Sequence, residues 1–517
     1  MRLRIVQSTL QQAFASRHAA RLQCARLPCS RFAARGFSTT LSRREDAPER
    51  KWSTPLAKQL YDAISITGPI PLASYMRMCL TGDVGGYYTG AIAADTAPGA
   101  DTLRDQFGKK GDFITSPEIS QVFGELLGVW FIAEWMSQGR PSQGVQIIEV
   151  GPGRGTLMDD MLRTIQRFPA MANSIENIYM VEASKELQTT QKKLLCSEDA
   201  PSTESEVGIS SVSKYGNKPI TWTNSIKSIP VDPKKTPFIV AHELFDALPI
   251  HAFQTATAAP KPKASQDKPQ ARRSEASSRP ASSNTQAPDT PSLEWREMMV
   301  APVQPSSKEP SPSPEFQLIL SPGTTRHSRF LPQISERYDS LSKTPSAIIE
   351  VCPDASIYAT DFASRIGGTP AQPKPKPSGA ALILDYGTAT SVPANSLRGI
   401  KAHKLVSPFL DPGLVDLSAD VDFTAIADIA LMASEGIEVH GPVEQADFLE
   451  VMGIKERASA LVKKGKDEET KERMDTAWKR LVDRGPEGMG KVYKALAIVP
   501  ENGGRRRPVG FGGDIGM

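Results

Sequence analysis

A glycine-rich turn between an apolar strand and an amphipathic helix is the feature that most limits how this chain can fold. The segment 147–150, apolar except for Glu149, leads into residues 151–155, where glycine occupies every second position. Beyond the turn, Leu157, Met161 and Ile165 are apolar at helical spacing. Glycines at such a junction let the backbone turn tightly and approach a ligand at a helix N-terminus. The segment therefore predicts a strand–turn–helix unit that binds a nucleotide or a nucleoside-like cofactor.

The spacing of the glycines separates the possible cofactors. The turn lacks the Gly-Lys-Ser/Thr ending of a phosphate-binding P-loop. It also lacks the dinucleotide fingerprint G-x-G-x-x-G, because its pattern is E-x-G-x-G-x-G. This pattern resembles the cofactor loop of class I S-adenosylmethionine-dependent methyltransferases. On that resemblance we expect the cofactor to be held by Glu149, Gly151, Gly153, Gly155, Thr156 and Leu157. Glu182 ends the next predicted strand, where it is placed to bind a ribose diol.

The N-terminal composition indicates a targeting segment. The first 44 residues contain nine arginines and no Asp, Glu or Lys, which is typical of a mitochondrial transit peptide. Cleavage after Phe37 would remove seven arginines and change the formal charge from +3 to −4. The basic character therefore belongs to this segment, and it gives no support for nucleic-acid binding. We expect a protein of the mitochondrial matrix.

Cysteine usage argues against a disulfide-stabilised or cysteine-based metal-binding protein, and hydropathy argues against a membrane-spanning one. Cys79, Cys196 and Cys352 would remain after cleavage, and three isolated cysteines form neither a disulfide framework nor a C-x-x-C metal site. We therefore predict no metal. Apolar runs stay well short of the 18 or more residues of a membrane span, so membrane insertion is not expected.

Low-complexity segments interrupt the organised parts of the chain. Residues 254–291 are mostly Ala, Pro, Ser, Lys and Gln with little to bury, which predicts a disordered insertion. The stretches 197–213, 302–314 and 367–379 look similar, and the tail from Pro500 is expected to fray. Strand patterns occur at 220–222, 238–240, 295–300, 316–320, 347–351 and 381–384. Helical patterns occur at 55–66, 71–80, 117–137, 156–168, 184–195, 424–435 and 444–465. This alternation predicts an α/β fold around a mostly parallel sheet.

Several further motifs, in order along the chain, resemble the MidA-like family, whose mitochondrial members are arginine methyltransferases for respiratory complex I assembly. They are residues 86–88, 111–125, 242–249, 295–297, 384–387, 412–418 and 421–424. The resemblance covers about residues 53–500. It implies a class I (Rossmann-like) S-adenosylmethionine-dependent methyltransferase fold with an N-terminal helical extension and insertions. It also implies a protein substrate, a core subunit of complex I, and a symmetrically dimethylated product.

The resemblance also assigns regions to the chain. We expect a transit peptide (1–44), an N-terminal helical and substrate region (53–138), and a methyltransferase core with the cofactor loop (139–253). The insertion 254–291, the remaining core sheet with a substrate-binding region (292–500) and a flexible tail (501–517) follow.

The loop 111–116 has two interpretations. Thr115 with Glu118 can form a capping box, or Ser116 can cap a helix with proline at its first position. The residues alone leave open whether Gly111-Asp112 is merely a turn or a ligand contact. The resemblance favours contact, so we predict that Gly111, Asp112, Thr115 and Ser116 bind the cofactor.

Two carboxylates follow the buried strand 238–242. Glu243 and Asp246 are three positions apart, so one helical turn places both on one side. The pair His242-Glu243 begins like a zinc-protease helix, but Asp246 stands where the second histidine would be. Since a bidentate carboxylate can hold a guanidinium and localise its charge, we predict Glu243 and Asp246 as catalytic. Glu118 and Asp385 are the alternative candidates for this catalytic role. A further alternative is that one of these carboxylates caps the following turn or binds the cofactor instead.

The sequence is compatible with three functions. The resemblance favours a matrix enzyme that dimethylates arginine on a complex I subunit. A second possibility is transfer to RNA or a small molecule, although the mature chain shows no basic stripe with interleaved aromatic residues. The third is an assembly scaffold that uses the fold without catalysis. The sequence does not indicate an oligomeric state.

Overall fold

The computed structural model describes residues 50–89, 111–258, 292–303 and 313–512, and its elements lie in one compact unit that begins at Trp52. The strands of these residues are β1 (Ile70–Pro71), β2 (Val145–Val150), β3 (Ile175–Val181), β4 (Thr203–Glu204), β5 (Ile209–Val212), β6 (Pro219–Thr223), β7 (Thr236–His242), β8 (His251–Thr257), β9 (Leu293–Pro302), β10 (Phe316–Leu320), β11 (Ile348–Val351), β12 (Ala380–Thr388), β13 (Arg398–Lys401), β14 (Lys404–Val406), β15 (Asp416–Ser418), β16 (Val421–Asp422), β17 (Ile437–Glu444) and β18 (Tyr493–Pro500).

The helices of the described residues, numbered in chain order, are α1 (Pro55–Thr67), α2 (Leu72–Thr81), α3 (Ser116–Ile119), α4 (Gln121–Ser137), α5 (Thr156–Ile165), α6 (Pro169–Ser174), α7 (Lys185–Leu195), α8 (Arg326–Phe330), α9 (Glu336–Ser340), α10 (Pro353–Gly367), α11 (Phe423–Ala433), α12 (Gln445–Val451), α13 (Ile454–Val462) and α14 (Glu468–Val482). Short 3-10 turns lie at 226–228, 331–333 and 341–343.

The main sheet is mixed, with a parallel middle. Its strand order is β17-β18-β12-β7-β2-β3-β6-β5-β4, with β16 beside β12. The five strands from β12 to β6 run parallel to one another. β18 is inserted antiparallel between β12 and β17, and β5 and β4 extend the opposite edge antiparallel. The α/β prediction is confirmed, with antiparallel margins that the patterns did not indicate.

Both faces of this sheet are covered, which explains why β2 is buried along its whole length. Ile147 belongs to an apolar cluster with residues of α4 and α5, whereas Ile148 packs with residues of α10 and α11 on the other face. The chain leaves β2 through α5 to reach β3 on one side, while β7 pairs with β2 on its other side. Open α/β sheets bind ligands at such a point, outside the carboxyl ends of the strands.

Two smaller sheets flank the main one. An antiparallel sheet of order β1-β9-β8-β11, with β10 beside β9, packs with α1 and α2 around Tyr75 and Val300. A three-stranded sheet of order β14-β13-β15 lies next to the carboxyl end of the main sheet, where Ile400 and Asp416 help to line a cavity. Among the described residues, no helix combines the length and the apolarity needed to cross a membrane.

Two segments predicted as disordered are ordered in the structure, and the described residues of the tail contact the core. The stretch 197–213 contains β4 and β5, which pair onto the main sheet. In 367–379, buried Lys374 donates to the carbonyls of Arg365 and Ser378. In the tail, Trp130 Nε1 donates to Val509 O at 3.0 Å, and Phe511 is buried. The predictions for 197–213 and 367–379 were wrong because composition records how little a segment buries, not what it packs against. The flexible tail 501–517 stays a prediction.

Other boundaries also differ from the sequence patterns. β8 extends to Thr257, so the range 254–291 begins inside a strand; residues 259–291 lie outside the described residues, as do 1–44. The helical pattern 444–465 is two helices, α12 and α13, and the pattern 117–137 is divided into α3 and α4 by Ser120. Ser120 caps α4, its side chain accepting from the amide of Val122.

Candidate functional site

A cavity of about 300 Å³ opens at the carboxyl ends of β2, β3 and β7. Its walls are the glycine-rich turn after β2, the end of β3, the turn after β7 and residues 113–118. Tyr88, Tyr386 and Asp416 close one side. The cavity therefore occupies the position at which the topology of the sheet favours a ligand.

The glycine-rich turn depends on backbone conformations that favour glycine. Gly151, Gly153 and Gly155 have φ angles of 71°, 52° and 85°, in the left-handed region. The amide of Gly151 donates to the carbonyl of Val181 at 3.0 Å, which ties the turn to β3. A Cβ at Gly151 would lie 2.8 Å from Leu244 Cδ1, so the two turns that line the cavity pack directly against each other.

The structure brings most of the predicted cofactor residues to this cavity. Those that line it are Thr115, Glu149, Gly151, Gly153, Thr156, Leu157 and Glu182. Gly155, Gly111, Asp112 and Ser116 are not among the lining residues. Gly155 instead caps α5 next to Gln191, whose Cγ would lie 3.2 Å from an added Cβ.

Asp112 and Ser116 hold the loop in place rather than facing the cavity. The Asp112 carboxylate accepts from the Tyr87 hydroxyl and from the amide of Ala402, each at 2.8 Å. The amide of Ser116 donates to Glu243 Oε1 at 3.2 Å. The hydrogen bond from Ala402 anchors the loop to the segment after β13. The hydrogen bond from Ser116 orients a predicted catalytic carboxylate.

Two buried glutamates stand at the strand ends beside the glycine turn. Burial, followed by the charge of Glu182, raises the pKa of Glu149 well above its ordinary value. Glu149 Oε2 is buried and accepts no hydrogen bond from the described residues. Burial raises the pKa of Glu182 to about 7. Its two oxygens accept from the amide of Ser184 at 2.8 Å and from Gln191 Nε2 at 3.3 Å.

The turn after β7 is held by a buried carboxylate from the neighbouring strand. Asp385 on β12 is fully buried, and its Oδ2 accepts from the amides of Leu244, Phe245 and Asp246 at 3.1, 2.8 and 3.3 Å. Glu243 has a positive φ of 49°, a conformation that costs a non-glycine residue energy and persists where the surroundings enforce it. Asp385, a reserve for catalysis in the sequence analysis, thus positions the turn that carries Glu243 and Asp246.

Asp246 lies in a group of acidic and phenolic side chains at one end of the cavity. Its Oδ2 accepts from the Tyr386 hydroxyl at 2.5 Å, whereas Oδ1 is buried and accepts no hydrogen bond from the described residues. Burial raises the pKa of Asp246 to about 6, with the charge of Glu243 adding to the rise and the Tyr386 hydrogen bond opposing it. Burial, then the charge of Asp246, raise the pKa of Asp416 to about 7. A cavity end of this kind suits a cation.

Tyr88 and Tyr386 were not assigned individual roles from the sequence, and Asp416 entered only as part of the predicted substrate-binding region 292–500. Tyr88 donates its hydroxyl to Asp416 Oδ1 at 2.9 Å. The Arg398 guanidinium lies 4.5 Å from the centre of the Tyr386 ring. The motifs 86–88, 384–387 and 412–418 contain these three residues, so their place in the motifs was the only indication in the sequence of a role at the site.

The features beside the glycine turn fit an adenosine-like cofactor that carries an ammonium group. Glycines without side chains leave the backbone open to a ligand. The buried Glu149 oxygen without a donor can accept from a hydroxyl or an ammonium group. A carboxylate has about four lone-pair sites, so Glu182 can accept another hydrogen bond while it keeps its two present donors.

Comparison with known proteins agrees with this geometry. The model of a family of S-adenosyl-L-methionine-dependent methyltransferases matches residues 126–443. Mitochondrial protein arginine methyltransferase NDUFAF7 of Rattus norvegicus is 34% identical over 451 residues, covering 86% of this chain and 85% of that protein. The Homo sapiens protein of the same name is 33% identical over 459 residues, covering 87% and 86%.

Solved structures share the fold. A protein from Burkholderia thailandensis bound to S-adenosyl-homocysteine aligns with a TM-score of 0.56 and 20% identity, over 86% of this chain and 91% of that one. A native structure from the same organism aligns with a TM-score of 0.58, over 89% and 95%. The predicted class I methyltransferase fold is thereby confirmed, as is the predicted cofactor. The chain belongs to the family of S-adenosylmethionine-dependent methyltransferases that includes the mitochondrial protein arginine methyltransferase NDUFAF7.

Proposed function

We propose that this chain is a protein arginine methyltransferase of the mitochondrial matrix. It symmetrically dimethylates an arginine of a core subunit of complex I (NADH:ubiquinone oxidoreductase) and is needed for complex I assembly. The names of the relatives support the arginine acceptor and the mitochondrial location. The motif resemblance supports the complex I subunit, and the arginine-rich N-terminal composition supports import and cleavage of residues 1–44.

The observation that carries the proposal is the acidic end of the cavity. Glu243, Asp246 and Asp416 line it, and the raised pKa values of the two aspartates show that burial opposes their ionisation there. A guanidinium placed among them would offset this cost, because an opposite charge favours the ionised carboxylate. Its planar fork can donate to two carboxylates at once. A neutral acceptor would gain hydrogen bonds but no charge pairing there, and an anionic acceptor would be repelled.

The proposed chemistry rests on positioning and charge. S-adenosylmethionine supplies a methyl group on a sulfonium, which an in-line nucleophile can accept. The Glu243 carboxylate, oriented by the amide of Ser116, holds one side of the guanidinium. Asp246 Oδ1, which accepts no hydrogen bond from the described residues, takes another N–H and can accept the proton released on transfer. Localising the charge in this way leaves one nitrogen as the nucleophile.

The cofactor is proposed to lie against the glycine turn. Glu149, Gly151, Gly153, Thr156, Leu157, Glu182 and Thr115 line the cavity on that side. Gly111, Asp112, Gly155 and Ser116 would contribute indirectly, by setting the shape of the loops. The acceptor peptide would enter past the region 53–138 and the later part of 292–500, whose residues Tyr88 and Asp416 close the acidic end.

The test is quantitative mass spectrometry of arginine methylation in mitochondrial proteins. Cells would carry the wild-type chain, Glu243→Gln, or the control Glu468→Gln at matched abundance. Glu468 is an 88% exposed side chain on α14, so the control makes the same chemical change away from the cavity. We expect Glu243→Gln to keep binding S-adenosyl-homocysteine and to lose one dimethylarginine from a complex I subunit.

Other outcomes contradict the proposal. If no methylarginine disappears and complex I assembles normally, the acceptor is not arginine in complex I. If complex I fails to assemble while every methyl mark is kept, the chain acts as a scaffold. Loss of the same mark in Glu468→Gln would mean that the effect does not arise in the cavity.

A further inference from the structure

A cluster of two histidines and a glutamate lies at the sheet formed by β8 and β9, outside the residues that line the cavity. His251 begins β8 and Glu297 lies on β9, and Phe253 stands opposite Glu297 in the antiparallel register. His251, two residues before Phe253, therefore shares a face with Glu297. His327, in the first turn of α8, completes the group.

The ligand-type atoms of the cluster converge. One such atom from each of His251, Glu297 and His327 lies within 4.8 Å of the other two. His251 Nδ1 is 2.8 Å from Glu297 Oε1, and His327 Nδ1 is 3.1 Å from the same oxygen. The two imidazole rings are 4.3 Å apart between their centres. These side chains come from three separate elements and point to one place.

The Glu297 side chain is only 1% exposed, so its charge needs a positive partner. Within the ranges that the structure describes, lysine and arginine nitrogens make no ion pair with it; its ion-pair contacts are the two imidazoles. A metal ion held between the carboxylate and two neutral imidazoles would supply a positive charge that neutral rings do not carry.

We propose that His251, Glu297 and His327 bind a divalent transition-metal ion, with zinc as the expected occupant. Two imidazoles and one carboxylate are a common set of zinc ligands, whereas magnesium and calcium prefer oxygen alone. The Thr325 hydroxyl donates to Glu297 Oε2 at 2.5 Å, which is the kind of contact that orients a ligating carboxylate. No metal was predicted from the sequence, because the cysteines form no metal motif; the three ligands are 46 and 30 positions apart, so no short motif joins them either.

The position of the cluster indicates what the ion would do. The His327 side chain is 43% exposed, so the site has a route from solvent. With three protein ligands, a bound zinc ion would leave a fourth position for water. The ion would join α8 to β8 and β9. It would also fix the start of β8, five residues after Asp246 at the acidic end of the cavity. Its expected effect is therefore on stability first.

The experiment uses the full chain without a purification tag, stripped of metal with a chelator. Zinc, cobalt or magnesium is then added, and bound metal per chain and the thermal midpoint are measured. We expect one zinc or cobalt per chain with a raised midpoint, and no effect of magnesium. Glu297→Gln and His327→Ala should weaken zinc binding roughly 100-fold or more, and Thr325→Val roughly 10-fold. Thr325→Ser, which keeps the hydroxyl, should restore it.

The matched control is His440→Ala. His440 also contacts a glutamate, with Nε2 3.1 Å from Glu438 Oε2, but it belongs to no three-ligand cluster in the described part of the chain. Zinc binding should be unchanged in this variant. The proposal is overturned if the folded, stripped wild-type chain binds no zinc. It is equally overturned if His327→Ala and Glu297→Gln bind zinc as the wild type does, because the ion then lies elsewhere.

Discussion

Asp246→Asn should make the protein more stable while it abolishes most of the transfer activity. The substitution keeps the size of the side chain and an oxygen that can accept from Tyr386, but it removes the charge. The pKa of Asp246 rises from 3.8 to about 6 on folding, chiefly because of burial. The folded chain therefore binds this proton more tightly than the unfolded chain.

This difference sets the sign of the pH dependence. The protonated carboxyl favours folding below about pH 4, and this contribution is lost as the pH rises through about 6. At neutral pH the ionised group costs up to about 3 kcal/mol of stability. Asparagine carries no such cost, so we expect a gain of about 1–2 kcal/mol in the free energy of unfolding, seen at about pH 7 and absent at about pH 4.

The activity should change in the opposite direction. If Asp246 holds the acceptor guanidinium, losing the charge-assisted contact costs about 3 kcal/mol, or roughly 100-fold in kcat/KM. Binding of S-adenosyl-homocysteine should remain within about twofold. Denaturant unfolding, methyl transfer to an acceptor peptide and calorimetric binding would be measured side by side. Asp428→Asn, an exposed position on α11, is the control.

Two results would refute this reasoning. A destabilised Asp246→Asn protein with proportionate loss of activity would mean that the carboxylate has a structural role. A stabilised protein with normal kcat/KM would mean that its charge does not act on the acceptor.

Three further predictions test other parts of the structure. Gly153→Val should abolish cofactor binding, because a branched side chain at this cavity-lining position would fill the space through which the cofactor approaches; calorimetry with S-adenosyl-homocysteine checks this. Tyr386→Phe removes the hydrogen bond that lowers the pKa of Asp246, so the acidic limb of the kcat/KM profile should move to higher pH; an unmoved limb would exclude this coupling. Arg506→Ala should destabilise the chain by about 2 kcal/mol, since it leaves fully buried Glu134 without the guanidinium that donates to it at 2.9 Å. A fraying tail would instead leave denaturant unfolding unchanged.

Two elements of the structure, α14 and β18, were not predicted from the sequence patterns. α14 buries only Leu481 among its fifteen residues, although Met474, Trp478, Leu481 and Val482 are apolar at helical spacing. That pattern was present in the sequence and was overlooked. β18 is a short apolar run, which periodicity cannot assign to strand or helix. Its antiparallel place between β12 and β17 depends on partners distant in the chain.

The sequence by itself determined the local features of this protein: the strand β2, the glycine turn, the helix α5, and the two carboxylates after β7. Each rests on interactions between residues close in the chain, where spacing fixes which side chains share a face. Only the tertiary structure decided which side chains meet across long separations. Tyr386 and Asp246 are 140 positions apart, and Arg506 and Glu134 are 372 apart. Such contacts form because burial forces polar groups to find partners wherever the packed chain brings them, and a linear pattern does not record that choice.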